Sequence, residues 1–195
     1  MQSSTKSLSG HSDVLGGVLT TNDDDLGERL RFMLKATGGV PSPFDNWILL
    51  RSTKTLGLPY QRSSDNANEL ANWLSSNFNF LRIIYPGLKS HPQHDVAKKQ
   101  QRTPSGEIIF GNMISIEVET IEARDQFLKR LEVFTLAESL GGVESLCCIP
   151  YNMTHAAVPV KAKLEMGITE TLIRLSIGIE DIADLKTDLI NGLAK

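Results

Sequence analysis

The spacing of apolar positions changes near Phe80, from a mostly helical pattern to short strands alternating with helices. Ahead of that point most of the pattern is helical. Leu26, Leu30, Met33 and Leu34 make one stripe, with Asn22 placed to cap it, Asp23-Asp24-Asp25 in its first turn and Gly38-Gly39 to end it. Ser42 ahead of Pro43 starts a second helix that carries Trp47, Ile48 and Leu50 toward Leu56. A third helix is predicted over residues 65–75, continuing to about 77, with Leu70, Trp73 and Leu74 buried. Residues 1–13 are polar and read as a loop. Residues 14–20 are apolar, broken by Gly16-Gly17, and read as a strand that something approaches closely.

From Phe80 onward, short strands alternate with helices. A strand over 81–85 stops at Pro86-Gly87, and a helix over 91–101 opens on His91-Pro92. Strand signal over 108–118 has Ile114, Ile116 and Val118 alternating with Ser115 and Glu117. Residues 121–132 form an amphipathic helix with Phe127, Leu128 and Leu131. Strands follow at 135–137, 146–149 and 171–178, and the last helix covers 182–193. This order predicts an α/β domain whose sheet is mostly antiparallel and covered on one face. The passage between domains is placed at 58/59.

Composition narrows the partners. Apolar residues make up 41% and charged residues 22%, a globular balance. Net charge is -3 with Lys and Arg scattered, so no basic stripe exists and nucleic acid is a poor partner. No apolar run approaches a membrane span, and no secretory leader is visible. Cys147 and Cys148 are adjacent within an apolar segment and read as core thiols, which points to a reducing compartment, the cytoplasm.

Few residues invite chemistry by themselves. Lys6, in Ser3-Ser4-Thr5-Lys6, reads first as a solvated charge. The functional reading is an amine that condenses with an aldehyde cofactor while neighbouring hydroxyls hold its phosphate. Arg174 stands inside an apolar strand, opposite in facing to Ile173, Leu175 and Ile177. It is either a salt-bridged edge residue or a fork for a ligand carboxylate. Glu138-Ser139-Leu140-Gly141-Gly142 is either a turn or a place where a ligand meets the backbone. His91, His94 and His155 lack a third ligand at a matching spacing, so no metal site is expected, and His155 reads as a satisfied, partly buried ring.

Six segments in order carry a resemblance. They are Ser-Ser-Thr-Lys-Ser-Leu-Ser-Gly-His-Ser-Asp-Val-Leu-Gly-Gly at 3–17, Gly-Gly-Val-Pro-Ser-Pro-Phe-Asp at 38–45 and Tyr-Pro-Gly-Leu-Lys-Ser-His-Pro-Gln-His at 85–94. Then come Phe-Thr-Leu-Ala-Glu-Ser-Leu-Gly-Gly-Val-Glu-Ser-Leu at 134–146, Met-Thr-His-Ala at 153–156 and Gly-Ile-Thr-Glu-Thr-Leu-Ile-Arg-Leu-Ser-Ile-Gly-Ile-Glu-Asp at 167–181. Over essentially its whole length the chain resembles the second half of the pyridoxal 5'-phosphate (PLP) enzymes of cysteine and methionine metabolism, the cystathionine γ-lyases above all. The resemblance implies the type I PLP-transferase fold, with a partial large domain over 1–58 and a complete small domain over 59–195. It implies that Lys6 carries the cofactor and moves protons, and that Ser3 and Thr5 bind its phosphate. It further implies that Arg174 grips the substrate α-carboxylate, with Ser139 and Thr154 lining the pocket. Glu138 matches an acidic residue of members acting at the γ-carbon.

The expected activity is therefore cleavage of the γ C–S bond of L-cystathionine to cysteine, 2-oxobutyrate and ammonia. The alternatives are a γ-synthase-type transferase or a non-catalytic oligomerisation or regulatory module. A sulfur amino acid is the expected substrate and a homo-oligomer, tetrameric in the family, the expected assembly. The family's first half, with the aspartate facing the pyridine nitrogen and the ring stacked on the cofactor, is expected to be missing from this sequence.

Overall fold

A computed structural model of the chain describes residues 1–194. It forms two compact units, Met1–Gly57 and Leu58–Lys195.

In the first unit, β1 (Gln2–Ser3) pairs antiparallel with β2 (Gly17–Val18), Gln2 opposite Val18 and Ser3 opposite Gly17. The strand expected over 14–20 is thus only two residues long, and the expected loop over 1–13 holds its partner. Between them Ser4–Leu8 coils in one wide helical turn. Helix α1 (Asp24–Thr37) is capped by Asp23, not Asn22: Asp23 Oδ1 accepts the Leu26 N–H at 2.9 Å. A carboxylate there caps and also meets the positive end of the helix dipole. The helix stops at Gly38, whose φ of 68° lets its N–H reach the Leu34 carbonyl. Helix α2 (Pro43–Thr53) starts as its sequence dictates, with Ser42 Oγ accepting from Asp45 N at 3.1 Å and Pro43 in the first turn. Neither helix buries a residue. The apolar stripe of α1 lies open, with Met33 55% exposed, and so does Trp47 of α2 at 59%. Amphipathic spacing is present, but two short strands and a turn offer no layer to cover it.

The second unit is built on α3 (Gly57–Asn77), which begins well ahead of residue 65 because Pro59 sits in its first turn, where a missing N–H costs nothing. After it come β3 (Arg82–Ile84), α4 (His94–Gln100), β4 (Met113–Glu117), α5 (Ile121–Arg130) and β5 (Thr135–Leu136). Then follow β6 (Leu146–Cys148), α6 (Val160–Glu165), β7 (Leu172–Ser176) and α7 (Ile182–Leu193). Helix α6 lies in a stretch for which the sequence offered no periodic signal. Helix α4 starts at His94, not His91, because His91 Nδ1 accepts the Gln93 N–H and closes a turn ahead of it. The sheet order is β3-β4-β7-β6-β5, and only β5 and β6 run parallel.

One sheet face is the core. Ile114, Ile116, Ile173, Leu175 and Ile177 are fully buried and Cys147 nearly so. They pack with Ala67, Leu70, Ala71 and Leu74 of α3, Phe127 of α5, and Leu185 and Leu189 of α7. Trp73 is half-buried at the rim, edge-on to Phe78 with ring centroids 5.1 Å apart.

Asp188 on α7 secures the chain leaving α5. Its carboxylate accepts N–H bonds from Glu132 at 2.7 Å, Val133 at 3.0 Å and Phe134 at 2.9 Å. Asp188→Ala leaves these donors without an acceptor and should cost about 3 kcal/mol of unfolding free energy in urea. Asp188→Asn, which keeps one carbonyl oxygen, should cost less.

Burial pushes the Cys147 thiol up to about 12, with Cys148 and Asp188 adding to the shift. The folded state therefore favours the neutral thiol. Its stability should be intact below the ordinary thiol value and fall as pH rises from about 9 toward 12. Melting temperatures measured across that window should decline less steeply in Cys147→Ala.

Candidate active site

Lys6 is held in a closed loop of backbone. Ser4 N donates to the Gly16 carbonyl at 3.0 Å, continuing the β1–β2 pairing, and Gly16 N donates to Thr5 Oγ1 at 2.9 Å. Ser9 N reaches back to the Ser4 carbonyl at 3.0 Å and Gly10 N to the Lys6 carbonyl at 2.9 Å. Lys6 itself leaves helical geometry, with φ −86° and ψ −133°. Gly16 is required here: a Cβ would sit 2.7 Å from Ser4 Oγ, and Ser4 is 1% exposed. Lys6 is half-buried, Thr5 likewise, and Ser3 is exposed at the end of β1. Helix α2 lies against this turn. Lys6, Ser3 and Thr5 are thus brought together on one rigid turn, by pairing that neither polarity nor periodicity revealed.

In the second unit the sheet's outer face carries Arg174. It stands on β7, the central strand, with Ser115 of β4 directly opposite on one side and Cys148 of β6 on the other. The edge-residue reading therefore falls. The salt-bridge reading falls too. Arg82 pairs with Glu117 at 2.9 Å and Arg124 with Asp125 at 2.6 Å, whereas among the described residues no carboxylate lies at ion-pair distance from Arg174. Arg174 Nη2 donates instead to the carbonyl of Glu138 at 2.8 Å and more weakly to that of Ser139 at 3.4 Å.

The segment from Glu138 to Ser145 lies along the outer face of β7 and its continuation. Ser176 Oγ accepts the Gly141 N–H at 2.9 Å. Ser145 Oγ donates to Glu180 Oε2 at 2.8 Å and accepts from Gly178 N at 2.9 Å, while Ser145 N donates to Glu180 Oε1 at 2.5 Å. Ile179 N donates to the Val143 carbonyl at 2.9 Å. Segment and strand are so close that a Cβ on Gly178 would run into the Val143 carbonyl.

Glu138, Ser139 and Arg174 therefore converge. Thr154 stands apart from those contacts. It is exposed in the turn after β6, with Oγ1 at 2.8 Å from His155 Nδ1, which also supplies the half-buried His155 with a partner. Cys148, expected in the core beside Cys147, is 1% exposed but faces the other way, beside Arg174. Burial raises its thiol pKa, the Arg174 charge opposes the shift, and Glu138 adds to it. Alternation puts Ser176 on the same face as Arg174, but nothing in the sequence singled it out as a functional residue. Among the described residues no cluster of His, Cys, Asp and Glu is arranged to hold a metal.

The chain matches the model of the Cys/Met metabolism PLP-dependent enzymes over residues 1–194. It is 46% identical over 193 residues to the cystathionine γ-lyase of Bacillus subtilis, covering 99% of this chain and 49% of that protein. It is 47% identical over 189 residues to the cystathionine β-lyase of Coxiella burnetii, covering 96% of this chain and 47% of that protein. The crystal structure of cystathionine γ-synthase from Xanthomonas oryzae in complex with cystathionine superposes with a TM-score of 0.92 at 42% identity, over 98% of this chain and 48% of that one. The chain spans about half the length of the curated relatives it matches. Over that span it has the α/β fold of PLP-dependent cystathionine lyases and synthases.

The close packing of the 138–145 segment on β7 yields a test. Gly178→Ala should destabilise the protein by about 1–3 kcal/mol, as overpacking does, read as a lowered urea midpoint.

Proposed function

Because this chain belongs to the Cys/Met metabolism PLP-dependent enzymes, we propose that it supplies the cofactor lysine and the carboxylate-binding arginine of an enzyme cleaving the γ C–S bond of L-cystathionine. The products are cysteine, 2-oxobutyrate and ammonia. The observation that carries this reading is Arg174: a guanidinium on a central strand, with hydrogen-bonded carbonyls but no carboxylate partner among the described residues. A ligand carboxylate completes such a group as a bidentate pair.

PLP is the family's cofactor, and the donor set around Lys6 fits its aldehyde and phosphate ends. The Lys6 amine is the group that condenses with an aldehyde. A hydroxyl has one proton and two lone pairs. Thr5 Oγ1 uses a lone pair on Gly16 N, and its proton contacts the Gly16 carbonyl only at a long 3.4 Å, so it can turn to a phosphate oxygen. Ser3 adds a second hydroxyl. When bound, the cofactor supplies an electron sink for bonds broken next to the substrate α-carbon.

The chain's own residues do the rest. Lys6 Nζ, when neutral, takes the proton from the substrate α-carbon and returns protons later in the sequence. Arg174 orients the substrate by its carboxylate. Ser139, half-buried beside it, lines the same place, and Thr154 is assigned to that pocket on the family resemblance alone. Glu138, exposed and with its carbonyl held by Arg174, is assigned the role of favouring the γ-carbon. The adjacent, unbridged and buried thiols suit a cytoplasmic enzyme. A second reading, cleavage at the β-carbon, draws support from the Coxiella relative's name.

Three measurements test the reading. Mixing the protein with PLP should produce a visible absorbance band that Lys6→Ala lacks. With L-cystathionine the keto acid released should be 2-oxobutyrate; pyruvate with homocysteine would instead mean β-cleavage. Arg174→Lys, which loses the planar fork, should raise KM roughly tenfold or more with a smaller change in kcat.

A further inference from the structure

We infer that Ser176 is a positioning residue for Arg174: its hydroxyl fixes the 138–142 loop through Gly141, and the loop fixes the guanidinium. This rests on the reading of Arg174 as the carboxylate grip. Ser176 is 1% exposed and stands two residues beyond Arg174 on the same strand face. Its Oγ accepts the buried Gly141 N–H at 2.9 Å. Gly141 has a φ of 75°, so the chain turns there in a conformation that needs glycine. Three residues earlier, the same loop presents the Glu138 carbonyl to Arg174 Nη2 at 2.8 Å.

The two tethers act on one short stretch. Beyond it, the chain is pinned independently by Ser145 and Glu180 and by the Ile179–Val143 bond. Between Glu138 and Gly142, the loop is tied to β7 by hydrogen bonds from Arg174 and to Ser176. Removing the Ser176 oxygen leaves Gly141 N a buried donor without an acceptor, and the loop must shift to satisfy it. The shift moves the carbonyls that hold Nη2.

The consequence is specific to recognition. An arginine side chain has many rotamers, and ordering them on binding costs free energy. Engaging one Nη2 proton with the Glu138 carbonyl settles that ordering in advance and leaves the other Nη2 N–H, with a neighbouring guanidinium N–H, as the fork for an incoming carboxylate. Ser176 thus acts on ligand affinity through Arg174, without touching the ligand.

The test reads the guanidinium directly. In the unliganded full chain, NMR of the Arg174 side chain should show separate Nη resonances, because its rotation is hindered. In Ser176→Ala these should merge, and in Ser176→Thr, which keeps an acceptor oxygen, they should stay separate. Titration with L-serine should show the dissociation constant rising about tenfold in Ser176→Ala and changing less than twofold in Ser176→Thr. If Ser176→Ala loses its folded spectrum, Ser176→Cys, close in size with a weak sulfur acceptor, takes its place and should show partial merging. Separate Nη resonances in a folded Ala or Cys variant would overturn the proposal, whatever the ligand does. A dissociation constant for L-serine that Arg174→Lys leaves unchanged would instead overturn the carboxylate reading, with the Nη resonances still judging Ser176.

Discussion

The second unit depends on β7 having two unlike faces. Ile173, Leu175 and Ile177 point inward and are fully buried, each contributing about 1.5–3 kcal/mol by leaving water. That burial holds the strand at the centre of the sheet, between β4 and β6. Because side chains alternate, a strand so fixed has no freedom to turn its other face. Arg174, Ser176 and Gly178 face outward at rigid spacing, and Glu180 follows where the strand has ended. Each meets the 138–145 segment differently: a donor for carbonyls, an acceptor for an amide, a gap for the backbone, and a carboxylate for Ser145. A one-residue slip would bury the arginine in the core and expose the isoleucines.

Alternation made this much legible in the sequence. Arg174 opposite the apolar face of its strand could be read from spacing, and so could the sheet's antiparallel character and the full extent of α7. The start of α2 was also legible, since Ser42, Pro43 and Asp45 each supply a local reason for it. What Arg174 pairs with was not. The choice between an edge ion pair and a ligand fork needed the strand order and the positions of the acidic residues, which are matters of tertiary packing. Arg82, another strand arginine, does have its carboxylate, Glu117, directly across the ladder. Nothing in the local sequence distinguishes the two.

The lysine turn was less legible for a different reason. Helices and strands announce themselves through periodicity, but Ser4–Leu8 is a single wide turn held by bonds between residues 4–5 and 16. Its sequence is polar because its partners are backbone groups, and a polar run reads as loop. Only the resemblance of the entire series of segments raised Lys6 above an ordinary surface charge. The helices α1 and α2 show the converse. The stripe of α1 was legible, as was the start of α2, yet both helices lie open, so amphipathic spacing and burial come apart.

The two sets of residues reach rigidity by the same physical means. On each, a glycine lets one backbone lie against a group that a side chain would displace: Gly16 against Ser4 Oγ, and Gly178 against the Val143 carbonyl. On each, a hydroxyl then locks the pair, Thr5 Oγ1 taking Gly16 N and Ser145 Oγ taking Gly178 N, both at 2.9 Å. Close approach with a short hydroxyl clasp leaves few soft torsions between the strand and the functional group. Lys6 follows Thr5 directly, and Arg174 lies four residues from Gly178. A long flexible side chain is useful for chemistry only if its root does not move, and both roots are fixed by this arrangement. The amine and the guanidinium keep their reach while the backbone beneath them is held.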